Sequence, residues 1–376
     1  MGRQTVARFA VIGAGNGGRA LAGHLRLAGH DVVLYNRDVG DEYEQLLKPI
    51  AETGAIQLVG AIEGVARGVE VTTSLETAVK GANTVIVVVP AIAHQPLAAA
   101  MARYLAPGQT ILLTPGRTFG AYEFLSVLRA SGCAHRITVA ETYSLPYAAR
   151  LRPGNQVVVA QQKDWIPVAT IPAADVHGVV ETLRPLFPGL LPQEHVLYTS
   201  LLNLGAMFHP AGTLLNASRI ELQGGGFPFY TEGMTPSVCQ VIERMDAERR
   251  AIGARFGLDL PTAAEMTSKA YGVPGDSLYT VLRANTAYDV GRAPESLTHR
   301  YVYEDTNTGL VPMVSLADLV GVPAPTMRAM VELACAMTGT DFWQTGRDVR
   351  RLGLTYPDPA ELIAVLRDGH VPGSAS

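Results

Sequence analysis

Three cysteines in 376 residues, Cys133, Cys239 and Cys335, are too few and too scattered for a disulfide framework. None stands in a C-x-x-C or other metal-ligand spacing, so no metal site is expected and the three read as small buried apolar side chains in a reducing compartment. Charge is also sparse. Only 17% of residues are charged, the net charge is −4 and the pI is about 6.1. That balance offers no electrostatic reason to expect nucleic acid or an anionic membrane as partner, which leaves a small molecule. The longest apolar run, 85–93, contains Pro90 and is too short to span a bilayer. No secretory signal precedes the first strand, so a cytoplasmic protein is expected. No internal repeat, heptad pattern or long low-complexity tract is present, and the small, polar tail 371–376 is expected to be disordered. With 48% hydrophobic residues and a mean hydropathy of +0.16, the remainder reads as a globular chain of two or three domains.

What is present begins at Gly13-Ala14-Gly15-Asn16-Gly17-Gly18, set between an apolar run at 9–12 and an alanine- and leucine-rich segment at 19–28. A G-x-G-x-x-G triplet is weak alone. Here it opens a βαβ unit whose second strand is 31–35. Gly13 permits the tight turn, Gly15 lets a pyrophosphate approach the backbone, and Gly18 lets helix pack on strand, while the helix N-terminus offers unpaired N–H groups. Gly13, Gly15, Asn16 and Gly18 are therefore expected cofactor contacts. The second strand ends in Asn36-Arg37, where NAD enzymes commonly place an acid. Arg37 can pair with a 2′-phosphate and stack on adenine, so Asn36 and Arg37 point to NADP. Asp38 keeps NAD open, and a solvated surface arginine is the plainer reading of Arg37.

Strand and helix patterns alternate through the first half, as a parallel doubly wound sheet requires, with strands at 55–59, 69–73, 84–89, 110–114, 137–140 and 156–160. Helices are expected at 95–105 and 121–131. From 196 the pattern is helical, which gives an α/β Rossmann-like dinucleotide-binding domain over 1–190 followed by an all-helical substrate domain over 191–376. One helix is expected over 196–220, kinked past His209 by Pro210. Another starts at Thr235-Pro236, with threonine as cap and proline at the first helical position, and stops at Gly257. Its Asp246, Glu248, Arg249 and Arg250 read as a solvated or interhelical charge network. The run 224–230, rich in glycine and aromatics, reads equally as a mobile loop lining a pocket or as a plain connector.

A nicotinamide site needs a group that handles a proton while hydride moves to carbon, and histidine serves near neutral pH. Of nine histidines, His24, His30 and His135 fall at positions expected to be solvated, and His94 begins a helix. His177, His195, His299 and His370 carry no distinguishing signal. His209 differs by preceding a proline in the first helix of the second domain, although a helix histidine taken alone is more often structural.

Several segments together resemble the opine dehydrogenases of the octopine/nopaline type. They are 203–210 (NLGAMFHP), 229–233 (FYTEG), 245–249 (MDAER), 300–305 (RYVYED) and 309–312 (GLVP), with Pro115-Gly116 and 141–147 (ETYSLPY) in the first half. Such enzymes condense an α-keto acid with the amino group of an amino acid and reduce the imine with NADH or NADPH. The resemblance implies a catalytic cleft between the domains, His209 as acid/base, Asp305 as its carboxylate partner and Arg300 as anchor for a substrate carboxylate. Tyr230 and Glu141 are further expected substrate contacts, Glu141 equally a loop cap. Without the resemblance, Asp305 reads as a turn cap and Arg300 as a surface ion pair. A homodimer is expected. The alternatives are a simple keto-acid or hydroxy-acid dehydrogenase of the same design, and a protein that senses NADP without catalysis.

Overall fold

The computed structural model describes residues 6–289 and 291–369; the expectation for the tail 371–376 lies outside them. The described residues form two compact units, the first holding 6–116 and 121–194, the second holding 117–120 and 195–369.

The first unit is built on an eight-stranded sheet. In chain order its strands are β1 (Arg8–Ile12), β2 (Asp31–Tyr35), β5 (Glu70–Thr72), β6 (Thr84–Val87), β7 (Thr110–Leu113), β8 (Thr138–Thr142), β11 (Ile166–Ile171) and β12 (Leu190–Pro192). Their spatial order is β12-β11-β8-β7-β6-β1-β2-β5. Read from β5 to β8, this is the order of two βαβαβ halves, with the reversal between β1 and β6. The glycine turn follows β1, so it sits where a doubly wound sheet offers its ligand crevice. β1, β6 and β7 are near-continuous apolar runs because both faces of the sheet are covered. The sequence led to a parallel sheet, but β11 runs antiparallel to β8, so the sheet is mixed.

The strands expected at 55–59 and 156–160 do not join the main sheet; they form a second one with the order β4-β3-β10-β9, made of β3 (Ala55–Gly60), β4 (Gly64–Arg67), β9 (Tyr147–Leu151) and β10 (Gln156–Gln162). It packs on the outer side of α1 (Asn16–Leu27), the helix that the glycine turn opens. Covered on both sides, α1 buries Ala20, Leu21, Ala22 and Leu25 together, and a Cβ on Gly23 would meet Leu58 at 3.1 Å. The same burial corrects the reading of two histidines as solvated. His30 is buried beneath Ala7, and His24 Nδ1 lies 2.7 Å from the Tyr147 hydroxyl.

Among its described residues the second unit has no strand. The single helix expected over 196–220 is three: α3 (Val196–Leu201), α4 (Leu204–Leu214) and α5 (Ala217–Gln223). The break falls at Leu202 and Asn203, where ψ is 6° and 82°, while α4 runs on through Pro210 to Leu214. Asn203 leaves helical geometry with its side chain engaged elsewhere, accepting from Arg117 Nη1 and donating to Thr118 Oγ1, both at 3.3 Å. The helix α6 (Pro236–Arg255) starts as expected, with Thr235 Oγ1 accepting the Val238 N–H. Of the charge network expected on it, the interhelical form is the one present for Asp246, Glu248 and Arg249. Arg249 is wholly buried, paired with Asp246 and donating to the Leu201 and Pro261 carbonyls, while Glu248 accepts the N–H groups of Thr326 and Met327. A buried arginine satisfied in this way fixes α6 against its neighbours.

Candidate active site

The segment that carries Asp305 is α7 (Arg300–Asp305), which passes directly into a π turn, Thr306–Leu310, and then into α8 (Val311–Val320). A π turn inserts one residue into a helix and is common at functional sites. Here close approach explains the sequence. A Cβ on Gly309 would lie 2.5 Å from the Ala206 Cβ, and a Cβ on Gly205 would lie 2.5 Å from Asp305 Oδ1 and nearer still to Arg117 Nη1. Gly205 and Gly309 therefore let α4 and the π turn meet closely enough for His209 to reach Asp305.

His209 is held on both ring nitrogens and on one face. Its Nδ1 lies 2.7 Å from Asp305 Oδ2, its Nε2 lies 3.1 Å from the Tyr230 hydroxyl, and the Tyr301 ring stacks on it at 3.9 Å between centroids with an interplanar angle of 8°. A carboxylate can only accept, so Nδ1 carries the proton, and the neutral ring then presents Nε2 as acceptor to the Tyr230 O–H. Burial pushes the Tyr230 phenol well above its ordinary value, which keeps that proton in place. Tyr230 is braced in turn by stacking on Tyr288 at 4.1 Å. The connector before it is not a free loop, because Phe227 and Phe229 are buried.

Beneath Asp305 lies a residue to which sequence reasoning gave no role. Arg117, 8% exposed and with a φ of 65°, places Nη1 2.9 Å from Asp305 Oδ1 and turns Nε and Nη2 to Glu304 Oε1 at 3.3 Å. The contact with Asp305 is a close ion pair without a straight hydrogen bond. Burial raises the Asp305 carboxyl, but the charges of Arg117 and His209 outweigh it and hold the group below its ordinary range. Glu304, also buried, reaches Arg300 at 3.5 Å. The result is an alternating line, Arg300, Glu304, Arg117, Asp305, His209, whose charges cancel while His209 is neutral.

The structure thus brings His209, Asp305, Tyr230 and Arg300 into one unit. Arg300 is 53% exposed and only loosely tied to Glu304, so its guanidinium is available to a further carboxylate. Glu141 is elsewhere, in the first unit, fully buried with Oε2 accepting the Ala121 N–H at the start of α2 (Gly120–Ala130). That is a helix-capping position. His299, unmarked in sequence, caps α7 by accepting the Tyr301 N–H at 3.2 Å. The roles of Tyr301 and Glu304 had a visible signal: Tyr301 and Asp305, and Arg300 and Glu304, stand four apart on one helix and share its faces.

In the first unit the glycine turn fits a dinucleotide. Gly13 has φ of 109° and a Cβ there would lie 2.7 Å from the Val88 carbonyl oxygen, while a Cβ on Gly18 would run into the Gly13 carbonyl. Around the Gly15 Cβ position there is nothing within 4 Å. Backbone is thus bare where a pyrophosphate would approach, at the N-terminus of α1. Asn16 and Asn36 are tied to protein: Asn16 Oδ1 accepts the Leu151 N–H at 2.8 Å, and Asn36 Oδ1 accepts the Ala14 N–H at 3.1 Å. Arg37 is 68% exposed and pairs with Glu42 at 3.1 Å. Among the described residues no cluster of three or more candidate metal ligands occurs, and no helix is long and apolar enough to cross a membrane.

Comparison with known proteins covers both units. Residues 8–116 match a family described as the NAD-dependent glycerol-3-phosphate dehydrogenase N-terminus, and residues 192–338 match the NAD/NADP octopine/nopaline dehydrogenase, alpha-helical domain. The chain is 39% identical to an opine dehydrogenase of Arthrobacter sp. (strain 1C) over 92% of its own length and 95% of that protein's. Among solved structures, octopine dehydrogenase in complex with NADH and agmatine aligns over 97% of this chain and 98% of its own, with a TM-score of 0.74 at 22% identity. An NADP+-bound yersinopine dehydrogenase covers 97% of this chain and 98% of its own, with a TM-score of 0.71 at 16% identity. At those identities the structural likeness is one of fold.

Proposed function

This chain belongs to the opine dehydrogenase family of NAD(P)-dependent oxidoreductases acting on CH–NH bonds, and we propose that it joins an α-keto acid to the amino group of an amino acid with His209 as acid/base. The observation that carries this reading is the 2.7 Å contact between His209 Nδ1 and a buried Asp305, which orients the ring and fixes its tautomer. Residues 1–190, apart from 117–120, which belong to the second unit, serve the dinucleotide and 191–376 the substrates.

Arg300 holds the keto acid's carboxylate through its planar guanidinium. The amine, deprotonated, adds to the keto carbon. Protonated His209 gives its Nε2 proton to the departing hydroxyl, which leaves as water while the nitrogen keeps its hydrogen, so the imine forms protonated. Asp305 stabilises the imidazolium before that transfer, and Arg117 keeps Asp305 ionised with Oδ2 turned to the ring. Tyr230, whose hydroxyl meets Nε2, occupies the place from which the reacting oxygen is served. The reduced nicotinamide supplies hydride to the imine carbon, and the sum is keto acid, amine, NAD(P)H and one proton giving secondary amine, NAD(P)+ and water. The glycine turn would hold the pyrophosphate, and Arg37 would contact the 2′-phosphate when the cofactor is NADPH. The protein acts in the cytoplasm as a homodimer on small molecules, without nucleic acid or membrane.

The test is a matrix of keto acids against amino acids, followed by cofactor absorbance and product mass. Cofactor oxidation that needs both partners and yields the secondary amine supports the reading. Equal turnover with keto acid alone, giving a hydroxy acid, replaces it with a simple keto-acid reductase.

A further inference from the structure

The end of β2 lacks a carboxylate in sequence but not in space. The chain leaves Arg37, runs through 38–42 and enters a π turn, Tyr43–Leu47, that returns Glu42 to the strand end. There Glu42 Oε2 accepts from Asn36 Nδ2 at 2.8 Å, and its carboxylate receives Arg37 Nη2 at 3.1 Å and Nε at 3.3 Å. Asn36 in turn accepts the Ala14 N–H, so one line of contacts joins the glycine turn, Asn36, Glu42 and Arg37. The arrangement is anchored from below. Arg19 of α1, almost wholly buried, donates to the Gln45 and Leu46 carbonyls at 2.9 and 2.7 Å and to the Gly154 carbonyl at 2.8 Å. A buried guanidinium that donates to three carbonyls holds the segment that carries Glu42 against the helix.

In this kind of sheet the adenosine ribose lies beside the residue that ends the second strand, where an acid accepts a hydrogen bond from the 2′-hydroxyl and an arginine donates to a 2′-phosphate. This chain has both, paired with each other. We propose that Glu42 is the residue that sets cofactor preference, by competing with the 2′-phosphate for Arg37 while offering a carboxylate to the unphosphorylated ribose. The proposal rests on the reading that the first unit binds NAD(P). Its consequence is dual use: with Glu42 in place Arg37 presents no unpaired charge, so NADH is accommodated, and NADPH binds only by taking Arg37 from Glu42 and tolerating that carboxylate nearby. The contact with Arg37 also holds the Glu42 carboxyl below its ordinary range, so the competitor is ionised at neutral pH. Asp38, the acid nearest in sequence, is exposed and does not enter this line of contacts.

The test is equilibrium binding without turnover. Dissociation constants of NAD+, NADP+, 5′-AMP and 2′,5′-ADP are measured by calorimetry for wild type, Glu42→Gln, Arg37→Gln and the double variant. Glu42→Gln is expected to shift the NADP+ to NAD+ affinity ratio toward NADP+ by about tenfold or more, the scale of a freed charge-assisted contact. The mononucleotides, which lack the nicotinamide half, should show the same shift. Arg37→Gln should weaken NADP+ and 2′,5′-ADP with NAD+ little changed, and the double variant should lose the gain seen in Glu42→Gln. An unchanged ratio in Glu42→Gln, or a gain that persists without Arg37, overturns the proposal. A wild-type protein that binds neither dinucleotide removes the cofactor reading itself and the proposal with it.

Discussion

Arg117 and His209 grip the same carboxylate from opposite sides, Arg117 Nη1 at 2.9 Å from Oδ1 of Asp305 and His209 Nδ1 at 2.7 Å from Oδ2. Two buried acids, Asp305 and Glu304, share that one buried guanidinium. Removing one partner of a buried ion pair costs about 3–5 kcal/mol because the other charge is left unpaired. Arg117→Met is therefore expected to destabilise the fold by about that amount in urea unfolding, and Arg117→Lys to restore a substantial part of it. Equal stability of Arg117→Met and wild type would show that the pairing has no such weight.

His209 and Asp305 are expected to act as one unit. His209→Asn and Asp305→Asn should each lower kcat strongly, and the double variant should cost much less than the product of the two single losses. Cofactor affinity, measured by fluorescence quenching, should be unchanged because the glycine turn lies in the other unit. Fully multiplicative losses would separate the two residues.

The depressed Asp305 carboxyl has a pH signature. A group whose folded-state value lies below its unfolded one contributes its full stabilisation above the unfolded value, about 3.9, and loses it as pH falls through the folded value. Urea unfolding of wild type and Asp305→Asn from about pH 6 to about pH 3 should show a stability difference that is constant at the upper end and shrinks below about pH 4. A difference that grows as pH falls would reverse the sign of the shift.

Two glycines of the nucleotide turn should separate binding from folding. The space around the Gly15 Cβ position is open, so Gly15→Ala should unfold like wild type while losing affinity for both dinucleotides, because the added methyl stands where backbone meets pyrophosphate. A Cβ on Gly18 collides with the Gly13 carbonyl, so Gly18→Ala should lower the melting temperature itself. If Gly15→Ala keeps wild-type affinity, the pyrophosphate does not lie there.

Much of this was legible in sequence, and the gaps have physical causes. The glycine turn, the first six strands of the main sheet and the Thr235 cap follow from local rules of turn, periodicity and capping, so 13–18, 31–35 and 235–236 fall where sequence puts them, whereas β11 and β12 were not read. The second sheet was hidden because β3 and β10 pair in parallel register across about a hundred residues, a contact that no local pattern encodes. The helix break at 202–203 was hidden for a related reason: Asn203 is pulled out of helical geometry by Arg117, 86 residues away. Arg117 itself follows a noticed Pro115-Gly116 but carries no periodic signal, and its role appears only when Glu304 and Asp305 are folded against it. Glu42 is the mirror case, an acid five residues beyond Arg37 that only the turn at 43–47 returns to the strand end.

The central claim is reduction of an imine rather than of a ketone, and isotopic labelling reads it directly. The enzyme is supplied with pyruvate, an amino acid and a nicotinamide cofactor carrying deuterium at the transferable C4 position, and products are resolved by mass spectrometry. The account predicts a secondary amine one mass unit heavy, its deuterium on the carbon that was the pyruvate carbonyl, and its formation lost in His209→Asn. Deuterium recovered in lactate, with the amino acid returned unchanged, would contradict it.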